Sequence, residues 1–369
     1  MNVLFDPQVF SFQEHGGISR YYCELIKQFS QMDGIEPALI IRYSNNHCLR
    51  ELDFIHVKQF FPTHRFKGRN EIIKFLNRMY VKSKFHTLRV PHVFHPTYYD
   101  PYFLNLLGDI PFVLTIYDMS HELYPRLFSK FDFTGENKKK VSAKATRIIA
   151  ISEHTKKDII SLLHVPASKI DVIPLATTLS AAATAKINIP LPEKYFLYVG
   201  KRNTYKNFFF LLDAMHALSQ TIPHCSLICA GGGTFTSQER KEIERLRLTD
   251  KIIQMAADDT VLAYLYTRAQ AFVFPSLYEG FGIPILEAFA CGCPVLLSKR
   301  SCLPEVGGGA ARYFDPASVS SLVEKLAEVL EDRTLVDDMR TGGLNRLKLF
   351  TWDNTALKTI ETYKKALSS

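Results

Sequence analysis

Two glutamates in the segment SLYEGFGIPILEAFACGCPV, residues 276–295, have a type and spacing that could bind a ligand. Glu279 and Glu287 lie eight positions apart, on either side of two glycines and a proline. An ionised carboxylate can accept hydrogen bonds from vicinal hydroxyls, whereas the free N–H groups of a helix beginning near Pro284 suit a phosphate. The pattern predicts a site with hydroxyl-bearing groups at both ends and an anion between them. A plainer alternative is that Glu287 only complements the helix dipole and Glu279 is solvated.

A basic loop in the same half of the chain could balance such an anion. The stretch VGKRNTYKN carries Lys201, Arg202 and Lys206 after a predicted strand. Arginine binds phosphate oxygens through its planar fork, and lysine binds them as a compact charge. An isolated basic loop is most often surface charge, but this one follows the first strand of the half with the glutamates, which favours a diphosphate ligand. Gly231, in AGGG after the next strand, would let the backbone approach a base or phosphate, although glycine runs mostly make turns.

The first half of the chain offers a second set of candidates. Gly16 and Gly17, in QEHGGISRY, precede a predicted helix and could bring backbone amides to a diphosphate. The spacing is not G-x-G-x-x-G, so it is not a dinucleotide-binding fingerprint. Tyr117 ends the predicted strand FVLTIY, and Asp118 and His121 follow it, at an edge where ligands collect in α/β sheets. The plainer alternatives are a turn or helix-capping role for Asp118 and a partly exposed helix position for His121.

Apolar runs bounded by turn residues alternate with amphipathic stretches, which is typical of βα units and parallel sheets. We therefore predict two α/β domains. Strands are predicted at NVLF, PALIIR, HVFHP, FVLTIY, RIIAIS and IDVIPL, and then at YFLYVG, SLICAG, IIQMA, AFVFPS and PVLLS. Helices are predicted near residues 17–31, 70–88, 136–146, 153–163, 207–221, 236–247, 260–268, 284–291, 318–331 and 351–367. The predicted boundaries are 1–176 for the first domain, 177–192 for a linker, 193–350 for the second domain and 351–369 for a final helix.

The composition narrows the class of protein. Of the 369 residues, 47% are hydrophobic, enough for two cores, and no apolar run is long enough to span a membrane. The first residues lack the pattern of a signal peptide. Seven cysteines without paired spacing predict reduced thiols in a cytoplasmic protein. The pair Cys291 and Cys293 has the wrong spacing for a metal or redox motif and is expected to be buried.

The net charge of +8 is concentrated in one stretch. Residues 50–89 hold ten Lys and Arg against three acidic residues, a net charge of +7, with seven Phe and Tyr interleaved. Such a stretch can be a solvated helix face, a nucleic-acid site or a membrane contact. No Gly-rich RNA-binding signature is present, so we expect no nucleic-acid partner. The amphipathic spacing of EIIKFLNRMYVKSKF favours peripheral, salt-sensitive binding to an anionic membrane surface over nucleic acid.

Several of these segments together resemble a known family. PSLYEGFGIPILEAFACGCPVLLS and SCLPEVGGGAARYFDP resemble the Glu-x7-Glu signature of retaining glycosyltransferase family 4. VGKRNTYKN resembles its phosphate-binding loop, GGISRY its glycine loop, and the helix after FTW its C-terminal segment. The resemblance extends over nearly the whole chain. It implies an α/β protein of the GT-B fold, with two Rossmann-like domains facing each other across a cleft and a last helix that crosses back to the N-terminal domain.

The resemblance also implies roles for single residues. Glu279 would contact the donor sugar and Glu287 the ribose, while Arg202 and Lys206 would hold the diphosphate. The amides near the diphosphate would come from Phe281, Gly282 and Ile283. Many members of the family carry histidine where this chain has Tyr117, so Asp118 and His121 are candidates to share that residue's role. The catalytic candidates are therefore Glu279, Arg202, Lys206, Asp118 and His121, and the donor-binding candidates are Gly16, Gly17, Lys201, Gly231, Phe281, Gly282, Ile283 and Glu287.

The expected activity is transfer of a hexose from a UDP- or GDP-linked sugar to a glycan or polyprenyl-linked saccharide in polysaccharide biosynthesis. Resemblance to the family implies retention of configuration, by front-face attack without a stable covalent intermediate. No metal and no cofactor are expected, because no metal-ligand cluster is visible. Two alternatives stay open at this point: a sugar-nucleotide epimerase or hydrolase on the same scaffold, and a glycan-binding protein without catalytic activity.

Overall fold

The computed structural model describes residues 1–87, 90–184, 189–202 and 204–368. The chain divides into two compact units, one comprising Met1–Leu175 and the helix from Trp352 onward, the other Ala176–Thr351. Arg89 of the basic stretch and residues 185–188 of the predicted linker lie outside the described residues. Both units are built on parallel strands joined by helices, as the alternating pattern predicts.

The first unit has two three-stranded parallel sheets. Its strands are β1 Asn2–Phe5, β2 Glu36–Leu39, β3 Val93–His95, β4 Val113–Ile116, β5 Arg147–Ala150 and β6 Ile170–Val172. Its helices before the second unit are α1 Gly17–Ser30, α2 Arg69–Lys84, α3 Ser120–Leu123, α4 Thr134–Lys144 and α5 Glu153–Leu163. The orders are β2-β1-β3 and β4-β5-β6, and a parallel bridge between Phe94 and Phe112 links the two sheets. The strands are short apolar runs because helices cover both faces of a parallel sheet.

The second unit has a single six-stranded parallel sheet. Its strands are β7 Tyr195–Val199, β8 Ser226–Ala230, β9 Ile252–Met255, β10 Phe272–Phe274, β11 Val295–Ser298 and β12 Arg312–Phe314. Its helices are α6 Phe208–Ser219, α7 Ser237–Arg245, α8 Asp259–Arg268, α9 Ile283–Ala290, α10 Leu303–Gly307, α11 Val319–Glu331 and α12 Arg333–Leu347. The strand order is β12-β11-β10-β7-β8-β9. The chain therefore adds β8 and β9 on one side of β7, and then β10, β11 and β12 on the other side. The order reverses between β7 and β10, and the loops after these strands meet where open α/β sheets bind ligands.

The last helix, α13 (Trp352–Leu367), packs on the first unit, which confirms the predicted return to the N-terminal domain. Its buried face includes Ala356 and Tyr363. The Tyr363 hydroxyl lies 2.6 Å from Nδ1 of the buried His95, and Thr355 donates to the Pro174 carbonyl at 2.8 Å. A hydrophobic stripe combined with these polar contacts fixes the helix in one register.

Four of the strands and α-helices given above were not predicted: the short helices α3 and α10, strand β12 and helix α12. Strand β12 has only three residues and lies at the sheet edge, so its apolar pattern is too short to detect. Helix α12 contains Gly342 and Gly343, a pair that usually marks a turn. Here Gly343 faces Phe289 of α9, where an added Cβ would lie 2.6 Å from the ring. The glycine allows the two helices to pack closely, and this need cannot be read from α12 alone.

Candidate active site

The structure brings together two residues predicted from separate motifs. Lys206 lies in the loop after β7 and Glu279 in the loop after β10, and their side chains form an ion pair with Nζ 2.5 Å from Oε1. The side chains are only 18% and 12% exposed. The loops are also tied through their backbones, because Leu277 N–H donates to the Tyr205 carbonyl at 2.8 Å. A cation and a carboxylate are thus held at the switch point of the sheet.

The backbone of Glu279 is fixed by residues that were not predicted. The Ser301 hydroxyl donates to the Glu279 carbonyl at 2.6 Å, and the Glu279 N–H donates to the same hydroxyl oxygen at 3.2 Å. Ser301 has a φ of +55°, a conformation that a residue with a side chain adopts only at some cost. The buried Cys302 thiol also donates to the Glu279 carbonyl, at 3.1 Å. These contacts orient the carboxylate without using its own oxygens.

Helix α9 begins directly after the glutamate loop, at the glycine–proline break. Gly282 precedes the helix with a φ of +92°. An added Cβ there would lie 3.1 Å from Ile285, 3.2 Å from Phe274 and 3.3 Å from Leu303. Only glycine fits this conformation and this space. The buried Phe281 packs edge-on against Phe350. Ile283 is the first residue of α9, and Pro284 has no N–H. The Ile285 N–H donates to the Gly282 carbonyl at 2.9 Å, so only part of the first-turn donors is available to a ligand.

Glu287 lies one turn into α9 and is buried. It accepts a hydrogen bond from the hydroxyl of Tyr266, on α8, with an O–O distance of 3.2 Å. Burial and the nearby charge of Glu287 raise the pKa of Tyr266 well above its usual range, so the phenol is a neutral donor. Tyr266 was not predicted. The sequence signal that could have indicated Tyr266 was its position on the apolar face of a predicted helix, because a buried tyrosine hydroxyl needs a hydrogen-bond partner.

Arg202 lies in different surroundings from Lys206, although both were predicted to hold a diphosphate. Its Nε donates to Glu239 at 2.8 Å, and both side chains are almost fully buried. Its other nitrogens donate to the four carbonyls of Gly231, Gly232, Gly233 and Thr234 at 2.9–3.4 Å. The guanidinium therefore holds the AGGG turn together, and its contact with a diphosphate stays a prediction.

The AGGG turn depends on its glycines because their backbone conformation and the space around them exclude a side chain. Gly231, Gly232 and Gly233 all have positive φ, between +69° and +77°. At Gly232 an added Cβ would lie 2.7 Å from both the Arg202 guanidinium and the Gly200 carbonyl. Glu239 was not predicted, although it also closes the capping box at the start of α7. Lys201 is exposed, and its carbonyl accepts a hydrogen bond from the Tyr198 hydroxyl at 2.6 Å.

In the first unit, the glycine loop precedes α1 as predicted. Gly16 is the residue before the helix and Gly17 is its first residue. The side chain of Gln13 folds back onto this end of the helix, where its oxygen accepts from the Ser19 N–H at 3.2 Å. One of the helix's free donors is therefore already used within the chain, and an anion there would compete with Gln13.

Asp118 and His121 lie after β4, at the predicted edge. Asp118 accepts from the backbone and the hydroxyl of Ser120 at 2.9 and 2.6 Å, which is the turn role given above as the plainer alternative. Burial would raise the pKa of Asp118, but Lys138 and the bonds from Ser120 outweigh it, so the pKa is lowered and the group stays ionised. His121 lies 3.3 Å from an oxygen of Asp132.

Tyr117 is buried, with its backbone N–H donating to the Tyr99 hydroxyl at 3.2 Å. Burial, together with the neighbouring tyrosines, raises the pKa of its phenol well above the usual range. At neutral pH it is therefore a neutral ring in the core, and it has none of the acid–base capacity of a histidine at that position.

Comparison with known sequences identifies the class. The family described as Glycosyl transferases group 1 matches residues 181–346, and Glycosyltransferase Family 4 matches residues 15–180. O-antigen chain mannosyltransferase B of Escherichia coli is 28% identical over an alignment of 376 residues that covers 94% of this chain and 96% of that protein. The chain belongs to the group 1 glycosyltransferases of family 4 and is a glycosyltransferase of glycan biosynthesis.

Comparison with solved structures shows the GT-B fold. Sucrose-phosphate synthase from Thermosynechococcus elongatus has a TM-score of 0.77 at 19% identity and covers 100% of this chain and 99% of its own. HepE of Anabaena, solved in complex with UDP and glucose, has a TM-score of 0.72 at 18% identity, with 99% of both chains covered. Along the described part of this chain, no helix has the length and apolar character needed to cross a membrane.

Proposed function

We propose that this glycosyltransferase transfers a hexose, with mannose as the first candidate, from a nucleoside diphosphate sugar to a glycan or lipid-linked saccharide. The observation that carries the proposal is the ion pair between Lys206 and Glu279 at the switch point, beside the start of α9. Mannose is favoured because the E. coli relative that matches along nearly its whole length is a mannosyltransferase. HepE, of the same fold, has been solved with UDP and glucose, which supports a nucleoside diphosphate as carrier.

Each residue has a task that follows from its surroundings. The donor diphosphate would take Lys206 away from Glu279, because a phosphate oxygen and a carboxylate compete for the same ammonium group. Glu279 would then be free to accept hydrogen bonds from the hydroxyls of the sugar. Charge that develops on the departing nucleotide would be stabilised by Lys206 and by the N–H groups at the start of α9. Glu287, oriented by Tyr266, would accept from the ribose hydroxyls.

A binding screen and a turnover assay test the proposal together. A nucleoside diphosphate present at one hundred times its dissociation constant should stabilise the protein by about 2.7 kcal/mol, so thermal shifts with UDP, GDP and ADP identify the base. Release of that nucleotide from its sugar, measured with and without a saccharide acceptor, then separates the alternatives. Acceptor-dependent release with glycan extension supports transfer. Release or isomerisation without acceptor would favour an epimerase or hydrolase, and no turnover of any donor would favour a glycan-binding protein.

The finer parts of the mechanism need their own readouts. We propose retention of configuration, which the anomeric signals of the product in an NMR spectrum test directly. We also propose that the reaction needs no metal and no cofactor, since Lys206 and the start of α9 already supply positive charge for the diphosphate. Within the described residues, no three His, Cys, Asp or Glu side chains form a metal-binding group. Activity lost in EDTA and restored by Mg²⁺ or Mn²⁺ would overturn this part.

We propose, in addition, that α2 contacts an anionic membrane surface. Its buried face includes Ile73 and Val81, whereas Ile72, Phe75 and Met79 form an exposed apolar stripe at helical spacing. The stripe lies within residues 50–87, which are rich in Lys and Arg. Each well-placed basic residue contributes about 1 kcal/mol of binding free energy at an anionic surface. A lone exposed apolar residue needs no explanation, but a stripe with basic flanks is typical of interfacial helices.

Sedimentation with vesicles tests this contact. The protein should pellet with anionic vesicles at low salt and remain in the supernatant with neutral vesicles or at high salt. Changing Phe75 and Met79 to serine should reduce pelleting, whereas Leu357→Ser, at an exposed apolar position on α13, should not. Equal recovery of wild type in the supernatant with both kinds of vesicle at low salt would exclude the contact.

A further inference from the structure

The first unit contains a cavity of about 580 Å³ that the motifs did not indicate. It lies between the segment after β1, one face of α2, the segment after β3 and residues 129–137. Its volume falls within the range of about 300–1,000 Å³ that is usual for small-molecule sites. All four walls come from the first unit, so the cavity belongs to that unit alone.

Two side chains that line the cavity, Gln8 and Tyr102, are held by a buried carboxylate. Asp6, fully buried after β1, accepts from the Gln8 side-chain amide at 2.7 Å and from the Tyr102 hydroxyl at 3.0 Å. The oxygen of the Gln8 side chain in turn accepts from the Asp100 N–H at 2.7 Å. Thr97 donates to Asp6 from both its backbone and its hydroxyl. The polar groups of the cavity are therefore held in place before any ligand arrives, which lowers the entropic cost of binding.

The charges around the cavity do not favour an anion. Two cations line it, and each is paired, Arg78 with Asp100 and Lys74 with Glu71. A third carboxylate, Asp132, also lines the cavity, so acidic groups outnumber basic ones. A phosphate or diphosphate would face a lining with a net negative charge, whereas neutral hydroxyls can donate to the carboxylates.

Six aromatic residues also line the cavity, and part of this aromatic lining is open to solvent. Tyr98 and Tyr99 pack together with ring centroids 4.5 Å apart, and Phe12 packs edge-on against Tyr98 at 5.1 Å. At the rim, Phe131 is 86% exposed and Phe133 is 54% exposed. Aromatic rings bury apolar faces at low conformational cost, and fixed polar groups among them give orientation and specificity. Apolar C–H faces combined with many hydroxyls are the chemistry of a neutral sugar.

We infer that this cavity binds neutral hexose units of the acceptor, and that any diphosphate of a lipid-linked acceptor lies outside it. The inference rests on the proposed function, since it gives the acceptor of that reaction its chemical class and its place. The sugar rings stack on Phe131 and Phe133, and their hydroxyls donate to the Asp100 and Asp132 carboxylates.

Calorimetric titration without donor tests the cavity directly. The probes are neutral manno- and gluco-oligosaccharides and, as a charged sugar, mannose 1-phosphate. Wild type should bind a neutral oligosaccharide and not mannose 1-phosphate. Phe131→Ala should weaken that binding by about three- to tenfold, the loss of one aromatic contact, and Phe131→Trp should restore it. Phe54→Ala, at an exposed phenylalanine outside the cavity, is the matched control and should bind as wild type.

Turnover separates this inference from the proposed function. Phe131→Ala should raise the KM for the acceptor by the same factor while the KM for the donor and kcat stay unchanged. Because Phe131 is exposed, its loss leaves the fold intact, which matching unfolding curves will verify. Equal oligosaccharide binding by wild type and Phe131→Ala, no binding of any neutral probe, or binding of mannose 1-phosphate that Arg78→Ala abolishes would each overturn the inference. Failure of wild type to turn over any donor would overturn the proposed function, while the titration would still decide whether the cavity binds sugar.

Discussion

Arg202 and Lys206 of the second unit were both predicted to hold a diphosphate, but the ion pairs that they form lie in different surroundings. Arg202 and Glu239 are almost fully buried, and every nitrogen of the guanidinium has a protein partner. Lys206 and Glu279 are partly exposed, and each lies in a loop that follows a central strand. The first pair holds a turn of the backbone, whereas the second brings opposite charges to the edge where ligands bind.

The difference shows that charged residues of one loop can have different roles: Arg202 stabilises the backbone, whereas Lys206 is placed to bind a ligand. A buried pair with complete hydrogen bonds is costly to break, since removal of one partner leaves an uncompensated charge in the interior. A pair at a loop edge can exchange partners with a ligand at lower cost, because solvent can reach both charges. We therefore expect substitutions in the first region to change stability and those in the second to change binding and turnover.

The largest expected effect is on stability. Arg202→Ala should lower the free energy of unfolding by about 3–5 kcal/mol, because Glu239 is left buried and four carbonyls lose their donor. Urea denaturation followed by circular dichroism measures this change. Arg202→Lys should recover only part of the loss, since lysine cannot span the same set of carbonyls. A free energy within 1 kcal/mol of wild type for Arg202→Ala would show that the turn does not depend on this residue.

The next largest effect is on turnover. Lys206→Ala should lower kcat/KM by about 100- to 1,000-fold, the loss of one preorganised electrostatic contact, with a smaller change in stability than Arg202→Ala. The exposed Lys241, on α7 of the same unit, supplies the matched control, and Lys241→Ala should keep wild-type kinetics. If both lysine variants retained wild-type kcat/KM, the Lys206 loop would have no part in the reaction.

The same contrast shows how far the sequence could lead. The site around Glu279 was predictable because its glycines, proline and carboxylates are contiguous, and because β7 and β10 are recognisable as strands. The pairing of Lys206 with Glu279 depends on which strands are neighbours, and strand order is not written in either motif. Arg202 could not be distinguished from Lys206, since four of its partners are carbonyls that any residue would provide and its carboxylate partner, Glu239, lies 37 positions further along the chain.

Residues that act from other elements were harder still. Tyr266 reaches Glu287 from α8, outside the motif it supports, and Ser301 holds Glu279 from the loop after β11, 22 positions further along the chain. In the first unit, the cavity is assembled from four segments that are distant in sequence, none of which has a recognisable sugar-binding motif of its own. Side-chain contacts of this kind follow from packing in three dimensions, and a single sequence does not specify them.

A third prediction concerns the two glutamates. Glu287→Ala should weaken binding of the nucleotide by about 10- to 100-fold, the loss of charge-assisted hydrogen bonds to the ribose. Glu279→Ala should mainly lower kcat, because the sugar it contacts changes its charge distribution in the transition state. Titration and steady-state kinetics of both variants distinguish these roles. Unchanged nucleotide affinity in Glu287→Ala would show that the ribose assignment is wrong.

The smallest expected effect is that of Tyr266→Phe. Loss of one neutral hydrogen bond to Glu287 should weaken nucleotide binding by about three- to tenfold. Because the pKa of Tyr266 is raised above its ordinary value of 10.0, the phenol stays protonated, and this donor should contribute equally from pH 7 up to about 10. Binding by Tyr266→Phe at the wild-type affinity would show that Glu287 is oriented by its helix alone.

The exchange of Lys206 between Glu279 and the donor diphosphate is the central claim, and titration with the nucleoside diphosphate alone tests it most directly. This ligand carries the phosphates but no transferred sugar, so it needs Lys206 and has no use for Glu279. Lys206→Ala should bind it at least tenfold more weakly, a loss of about 1.4 kcal/mol. Glu279→Ala, which releases Lys206 from its partner, should bind it as tightly as wild type or more tightly. Wild-type affinity in Lys206→Ala, or weakened affinity in Glu279→Ala, would contradict the account.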